Sequence, residues 1–392
     1  MAATVSVKPE LIQWAIDRSG LTIGLLEKRF PKVDAWVAGE KEPTLRQLED
    51  FARKTMTPLG FLFLDEPPEE RIPIPDFRTP GDSPIDRPSP NLIEMIQVMQ
   101  RRQAWMREFL TEQGHAPLEF FESARRSQNV TSIAQRIRQT LDLDPSWAES
   151  HSTWEDALRT LRNAAERIGI LVATSSVVGL NNHRPLDPQE FRGFVLCDSI
   201  APLIFLNGAD SKSGQMFTLA HELVHVWLGK DGIFNLINMM PSKDEAEVFC
   251  NRVAAEFLVP AHKLTERWDE ANATSKPFHT IARSFKVSPV VAARRALDLR
   301  LISRAQFFAF YKADQLDWLA RKSANRKKRK GEPNFYDVQD VRLGRQFATA
   351  VVCAAREGRI LQREAYQLTD LRGDTFNKYA ELVLKRAKDE RQ

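Results

Sequence analysis

Three cysteines in 392 residues, Cys197, Cys250 and Cys353, are too few for a disulfide framework, and no C-x-x-C spacing joins any two of them. An odd one is left over, so reduced thiols in the cytoplasm are the simplest account. Long apolar runs are missing as well. Nowhere do eighteen apolar residues follow one another, and residues 1–10 hold no apolar stretch of the kind a secretory leader carries. Neither membrane spanning nor secretion is therefore expected. A strong charge imbalance is also lacking, because the chain is only +4 overall and one basic run supplies more than that excess. What is there is 43% hydrophobic content, enough for ordinary cores, in a length that suits about two to three domains.

The most informative residues are His221-Glu222-Leu223-Val224-His225, an H-E-x-x-H pattern inside an otherwise uncharged, helix-compatible run. On a helix, two histidines four residues apart project from one face and can bind one zinc ion, with Glu222 beside them to activate a water. Between residues 216 and 228 Glu222 is the only formally charged side chain. A carboxylate in a buried helix is unfavourable unless it has a charge partner or a task. Gly229 follows at a C′ position and ends the helix just past the second histidine. The plain alternative is a core helix with two satisfied histidines and a surface glutamate.

Catalytic zinc needs a third protein ligand. A metzincin would place Gly at 228 and His at 231, where this chain has Leu228 and Asp231. Residues 241–260 read instead as a second helix, begun by a Ser242/Glu245 capping box and ended by Pro260. Along it Glu247, Asn251, Ala254 and Leu258 share one stripe, and small residues there allow close packing against the histidine helix. Glu247 is the best-placed third ligand, with Asp231 as the alternative. Glu256, nine positions further on, falls on the opposite face at about 100° per residue.

This pattern, H-E-L-V-H followed by E-x-x-x-N-x-x-A-A-E-F-L-V-P from Glu247 to Pro260, resembles the ImmA/IrrE family of zinc metallopeptidases. The likeness is best over residues 153–301. It implies a zinc ion on His221, His225 and Glu247, Glu222 acting on water, and, as in characterised relatives, cleavage of a helix-turn-helix repressor. Long members that carry an N-terminal domain like this one are often encoded beside a nuclease toxin and are proposed as antitoxins.

Residues 168–178, 191–197 and 203–207 are apolar, β-branched runs separated by Gly, Pro and Asp, and read as strands ahead of the active-site helix. An exposed sheet edge would hold a substrate as an added strand, and the strand at 203–207 is the expected one. His183, on a loop, is a candidate for steadying the oxyanion, although a lone loop histidine is ordinarily a surface residue.

Residues 1–66 read as a separate helical unit in which Trp36-x-x-Gly39-x-x-x-Pro43-Thr44 resembles Xre-type helix-turn-helix domains. This copy departs from the pattern. It is shorter between Leu25 and Gly39, Val37 replaces a usual glutamate, and Pro31 cuts the recognition helix to residues 32–37. DNA binding and protein docking are both uses of such a scaffold. Residues 67–90 carry eight prolines in twenty-four positions and read as an extended linker. Residues 91–150 return to helical periodicity, 151–310 form the metallopeptidase-like domain, and 311–392 hold a basic segment and a helical end. In residues 321–330 seven of ten side chains are basic, which suits either phosphate contacts or a charged linker.

The expected architecture is α+β and predominantly helical. It has a zincin-like, gluzincin-type core with a small antiparallel or mixed sheet, an N-terminal helix-turn-helix-like domain and a C-terminal helical region. Two classes of function fit. One is a cytoplasmic zinc metalloendopeptidase acting on a regulatory protein, either a repressor or a toxin–antitoxin partner. The other is an antitoxin or transcriptional regulator that binds DNA or a nuclease toxin and keeps a latent or structural zinc site.

Overall fold

The computed structural model describes residues 3–70, 88–230, 232–234, 245–324 and 334–389, the side chains of 232–234 and 318–324 excepted. The chain divides into two compact units, one made of the described residues up to Gln97 and the other of those from Val98 onward.

The first unit holds α1 (Pro9–Ser19), α2 (Ile23–Glu27), α3 (Val33–Val37) and α4 (Leu45–Lys54), closed by a 3₁₀ turn at Leu59–Phe63. Proline at the first helical position starts α1, where its missing N–H is not needed. The capping box expected at Thr44 and Gln47 is present: Thr44 Oγ1 accepts from Gln47 N, and Thr44 N donates to Gln47 Oε1. Leu11, Leu26, Phe30, Trp36, Leu48 and Phe51 bury one small core. Because α3 is five residues long and buries Val33 and Trp36, it offers little surface to a groove.

The second unit begins within α5 (Pro90–Glu112) and continues through α6 (Val130–Thr140) and α7 (Trp154–Arg167) into β1 (Leu171–Ser175), β2 (Gly193–Leu196) and β3 (Leu203–Asn207). Then come α8 (Lys212–Leu228), β4 (Gly232–Phe234), α9 (Glu245–Leu258), α10 (Ala261–Asn272), α11 (Pro277–Phe285) and α12 (Pro289–Asp298). The chain ends in α13 (Arg304–Ala324), α14 (Phe335–Leu343), α15 (Arg345–Arg356), α16 (Gln362–Thr369) and α17 (Gly373–Asp389). Helices dominate and the sheet is small and mixed, an α+β arrangement.

The sheet runs β1-β3-β2-β4. β3 pairs parallel with β1, Leu171 opposite Leu203, and antiparallel with β2, Phe194 opposite Phe205. The strand expected to be the open edge, Leu203–Asn207, is therefore central. All five of its residues are buried, as a continuous apolar run in a strand with partners on both sides should be. The edges are β1 and β4. At β1 the outer side is taken by the turn between α14 and α15: a Cβ on Gly344 would lie 2.9 Å from Val172 O.

α8 lies at the middle of the large core, buried from Gln215 to Leu228. Ser211 Oγ caps its start by accepting from Gly214 N at 3.0 Å. Gly229, at φ +65°, ends it in the left-handed conformation that a side chain would strain. Two further carbonyls of its last turn, those of Val226 and Trp227, receive Glu122 N and Ala124 N, and Phe120 stacks on Trp227 at 4.6 Å. Against the sheet the helix comes close because Gly193 has no side chain. A Cβ there would meet Thr218 Cγ2 at 2.5 Å and Phe205 O at 2.7 Å.

α9 packs along α8, and arginines hold its C-terminal end. Arg138 donates to the carbonyls of Glu256 and Phe257 at 2.9 and 3.1 Å, and Arg295 donates to Val259 O at 3.0 Å and pairs with the Glu256 carboxylate. Positive charge at a helix C-terminus complements its dipole, so these contacts fix where the helix sits along its axis. Proline-capped α11 and α12 form a tight helix–turn–helix pair through Lys286 (φ +52°). Ile281, Phe285 and Val291 bury it in the same core.

Candidate metal centre

The register of α8 and α9 places three lone-pair donors at one point. His221 Nε2 and His225 Nε2 are 3.0 Å apart, and the Glu247 carboxylate reaches both, at 3.2 Å to His221 and 3.4 Å to His225. Their ligating atoms all fall within 4.8 Å of one another. The two imidazoles arrive together because residues four apart on a helix share a face, and Glu247 because small and apolar residues let α9 lie against that face. His221 is fully buried and His225 nearly so, while the Glu247 side chain keeps 29% of its exposure, which leaves the cluster reachable from one side.

Tautomers follow from the surroundings. His221 Nδ1 stands 3.1 Å from Asn251 Oδ1, an acceptor, so Nδ1 carries the proton and Nε2 presents its lone pair to the cluster. Two imidazole nitrogens facing a carboxylate at such distances need a proton or a cation among them. The electrostatics register that need. Burial lowers the His221 pKa, outweighing the opposite pull of Glu247. Burial opposes charge on His225 as well, yet Cys250, Glu247 and Glu222 around it push its pKa up. Glu247, which burial alone would raise, is held below the usual carboxylate range by the two histidines. Two neutral-capable imidazoles and one carboxylate converging on a point are the donor set of a borderline-soft divalent ion such as zinc.

Glu222 lies beside this set, entirely buried, and among the described residues neither of its carboxylate oxygens has a hydrogen-bond partner. Burial pushes its pKa up to about 8, with Glu247 adding to the rise and His225 opposing it. A buried carboxyl without a hydrogen-bond partner among the described residues, beside three converging ligands, sits in the kind of environment in which a perturbed pKa points to a functional group.

Other candidates stand elsewhere. Glu256 is on the far side of α9, engaged with Arg295 and Ala261 N. Glu245 is exposed at the start of α9. His183 is exposed on the turn after β1, its N–H bonded to Asn181 Oδ1, and is not among the converging groups. The alternative ligand Asp231, Ser242 of the expected capping box, residues 71–87 of the proline-rich stretch and residues 325–330 of the basic run lie outside the described residues. Sequence reasoning took Asn251 for a packing residue and missed its bond to His221. The signal was available, since Asn251 is one helical turn from Glu247 on the same face. The placement of Cys250 against His225 has no such signal.

The fold is a helix-rich α+β arrangement that brings the H-E-x-x-H residues and Glu247 into one cluster that could hold a metal ion. Residues 165–297, a span that includes His221, Glu222, His225 and Glu247, match the peptidase M78 family described as the IrrE N-terminal-like domain, which supports membership of the ImmA/IrrE family and a metallopeptidase-type function. Residues 343–382, from the end of α14 into α17, match a domain of unknown function. No curated protein matches the chain. Among the described residues no helix is long and apolar enough to cross a membrane.

Proposed function

We propose that the chain is a zinc metalloendopeptidase with a zincin-like core that cuts a regulatory protein, of the repressor or nuclease-toxin kind, at a selected site. The observation that carries this reading is the juxtaposition of three converging His and Glu side chains with a buried Glu222 whose carboxylate has no hydrogen-bond partner among the described residues. His221, His225 and Glu247 would hold the ion, and zinc supplies Lewis-acid polarisation of a peptide carbonyl when bound. Glu222 takes the proton from the attacking water and delivers it to the departing amine, the work of a general base and then a general acid. A positive charge in the cluster favours the ionised form of Glu222 and so readies it for the first of these steps. Asn251 keeps the His221 ring in the tautomer that offers Nε2.

Site-specific DNA reading by the first unit is not part of this proposal, because α3 has five residues and buries two of them. With β3 central, an added substrate strand would use a different edge. β4, at the end of the sheet opposite β1 and directly after α8, supports that placement.

Two measurements test the proposal. Metal analysis of the purified protein should find about one zinc per chain, lost in His221→Ala, His225→Ala and Glu247→Ala and kept in Glu222→Gln. Incubation of the full chain with helix-turn-helix repressors and nuclease toxins taken from its own genome should give one discrete cut in one of them by mass spectrometry. Cleavage that persists in Glu222→Gln would refute the role given to Glu222, and full zinc occupancy in Glu247→Ala would move the third ligand elsewhere.

A further inference from the structure

Beside the metal cluster, a cavity of about 650 Å³ opens between the start of α6, a flank of α9 and the flank of α12. Sites for small organic ligands typically have about 300–1,000 Å³. Part of its lining is apolar, contributed by Phe217, Phe249, Val291 and Leu299. The charged part is unbalanced: Arg126, Arg252, Arg294 and Arg295 face only Glu256 and Asp298.

Two of the arginines are already neutralised. Arg295 pairs with Glu256, and Arg294 Nε donates to Asp298 Oδ1 at 3.0 Å. Arg126 and Arg252 have no acidic partner among the described residues, and both are exposed. They come from separate segments, the loop before α6 and the surface of α9, so their proximity to one cavity is a tertiary arrangement and not a local charge run. The first turn of α6 lines the same cavity through Val130 and Thr131, and the partial positive charge of a helix N-terminus adds to the field. The cavity therefore combines apolar lining with surplus positive charge.

We propose that it binds a small amphipathic organic anion, with an apolar, ring-sized body against Phe217 and Phe249 and a sulfonate-, phosphate- or carboxylate-type group between Arg126 and Arg252. The arginine forks suit planar or tetrahedral oxyanions, and the apolar lining rewards a ligand that brings its own hydrophobic surface. The site uses none of the three metal ligands. Asn251 lines it, however, and also bonds His221 Nδ1 at 3.1 Å, so a bound anion would sit one side chain away from the metal cluster.

Two fluorescent probes that differ by one sulfonate test the idea on the full chain without any cleavage assay. They are 1-anilinonaphthalene-8-sulfonate and its uncharged analogue N-phenyl-1-naphthylamine. Wild-type protein should bind the anion at a single saturable site about tenfold more tightly than the neutral probe, as expected for one charge-assisted contact. Arg126→Glu and Arg252→Glu should each abolish that preference, and Arg363→Glu, on the exposed start of α16, should leave it intact. Circular dichroism confirms that each variant is folded, and Arg126→Gln and Arg252→Gln serve if a charge reversal unfolds the chain. Equal affinity for the two probes, or a preference that survives both arginine substitutions, overturns the proposal.

Discussion

Replacing Asn251 with alanine removes a side chain that holds a proposed metal ligand and is not itself among the three converging groups. Asn251 Oδ1 sits 3.1 Å from His221 Nδ1, and His221 is fully buried, so bulk solvent does not take the place of the lost acceptor. Loss of such an outer partner typically weakens metal binding about 10- to 100-fold, or roughly 1.4–2.8 kcal/mol. The low exposure of the ring argues for the upper half of that range. Competition against a chromophoric zinc chelator at fixed pH reads the change directly, and pH must be held because protons and metal compete for the same lone pairs. Asn251→Asp should restore binding, since a carboxylate accepts the same N–H and raises the basicity of Nε2. Wild-type affinity in Asn251→Ala, or an Asp variant as weak as the Ala variant, would show that Asn251 does not position His221.

Gly193→Ala should destabilise the second unit by about 1–3 kcal/mol or more, because the new methyl group would meet Thr218 Cγ2 at 2.5 Å and the immovable Phe205 carbonyl at 2.7 Å. A lowered denaturation midpoint checks it, and an unchanged midpoint would mean that α8 does not rest on β2 as described. Asp340→Ala leaves the Tyr379 hydroxyl and the Arg386 guanidinium without their shared acceptor. The expected loss is about 1–3 kcal/mol, measured against Tyr379→Phe, which should lose less. Glu166 is buried and its pKa is raised, chiefly by that burial, while it accepts Arg345 N at 2.8 Å. A raised folded-state pKa contributes stability that is full below the ordinary value of 4.5 and is lost as pH climbs through the raised one. Stability curves of wild type and Glu166→Gln should therefore differ in slope across that interval, and parallel curves would contradict the assignment.

Much of the site was legible in the linear chain. Two histidines four apart around the only charge between residues 216 and 228, followed by a second helical stretch with Glu247 on its small-residue face, pointed to the three side chains that the structure brings together, because helical periodicity is local. The strands before α8 and the cap at Thr44 were readable for the same reason. Strand order was not. A run such as Leu203–Asn207 is equally apolar as an edge against a partner or as a central strand, and its place between β1 and β2 depends on pairings with residues far away in sequence. Arg138 and Arg295 as clamps on the end of α9, and the placement of Arg126 and Arg252 at one cavity, likewise exist only once distant segments pack. Local periodicity decided which side chains could act together along one helix. The meeting of helices decided the distances between them, because those depend on packing volumes that no single segment encodes.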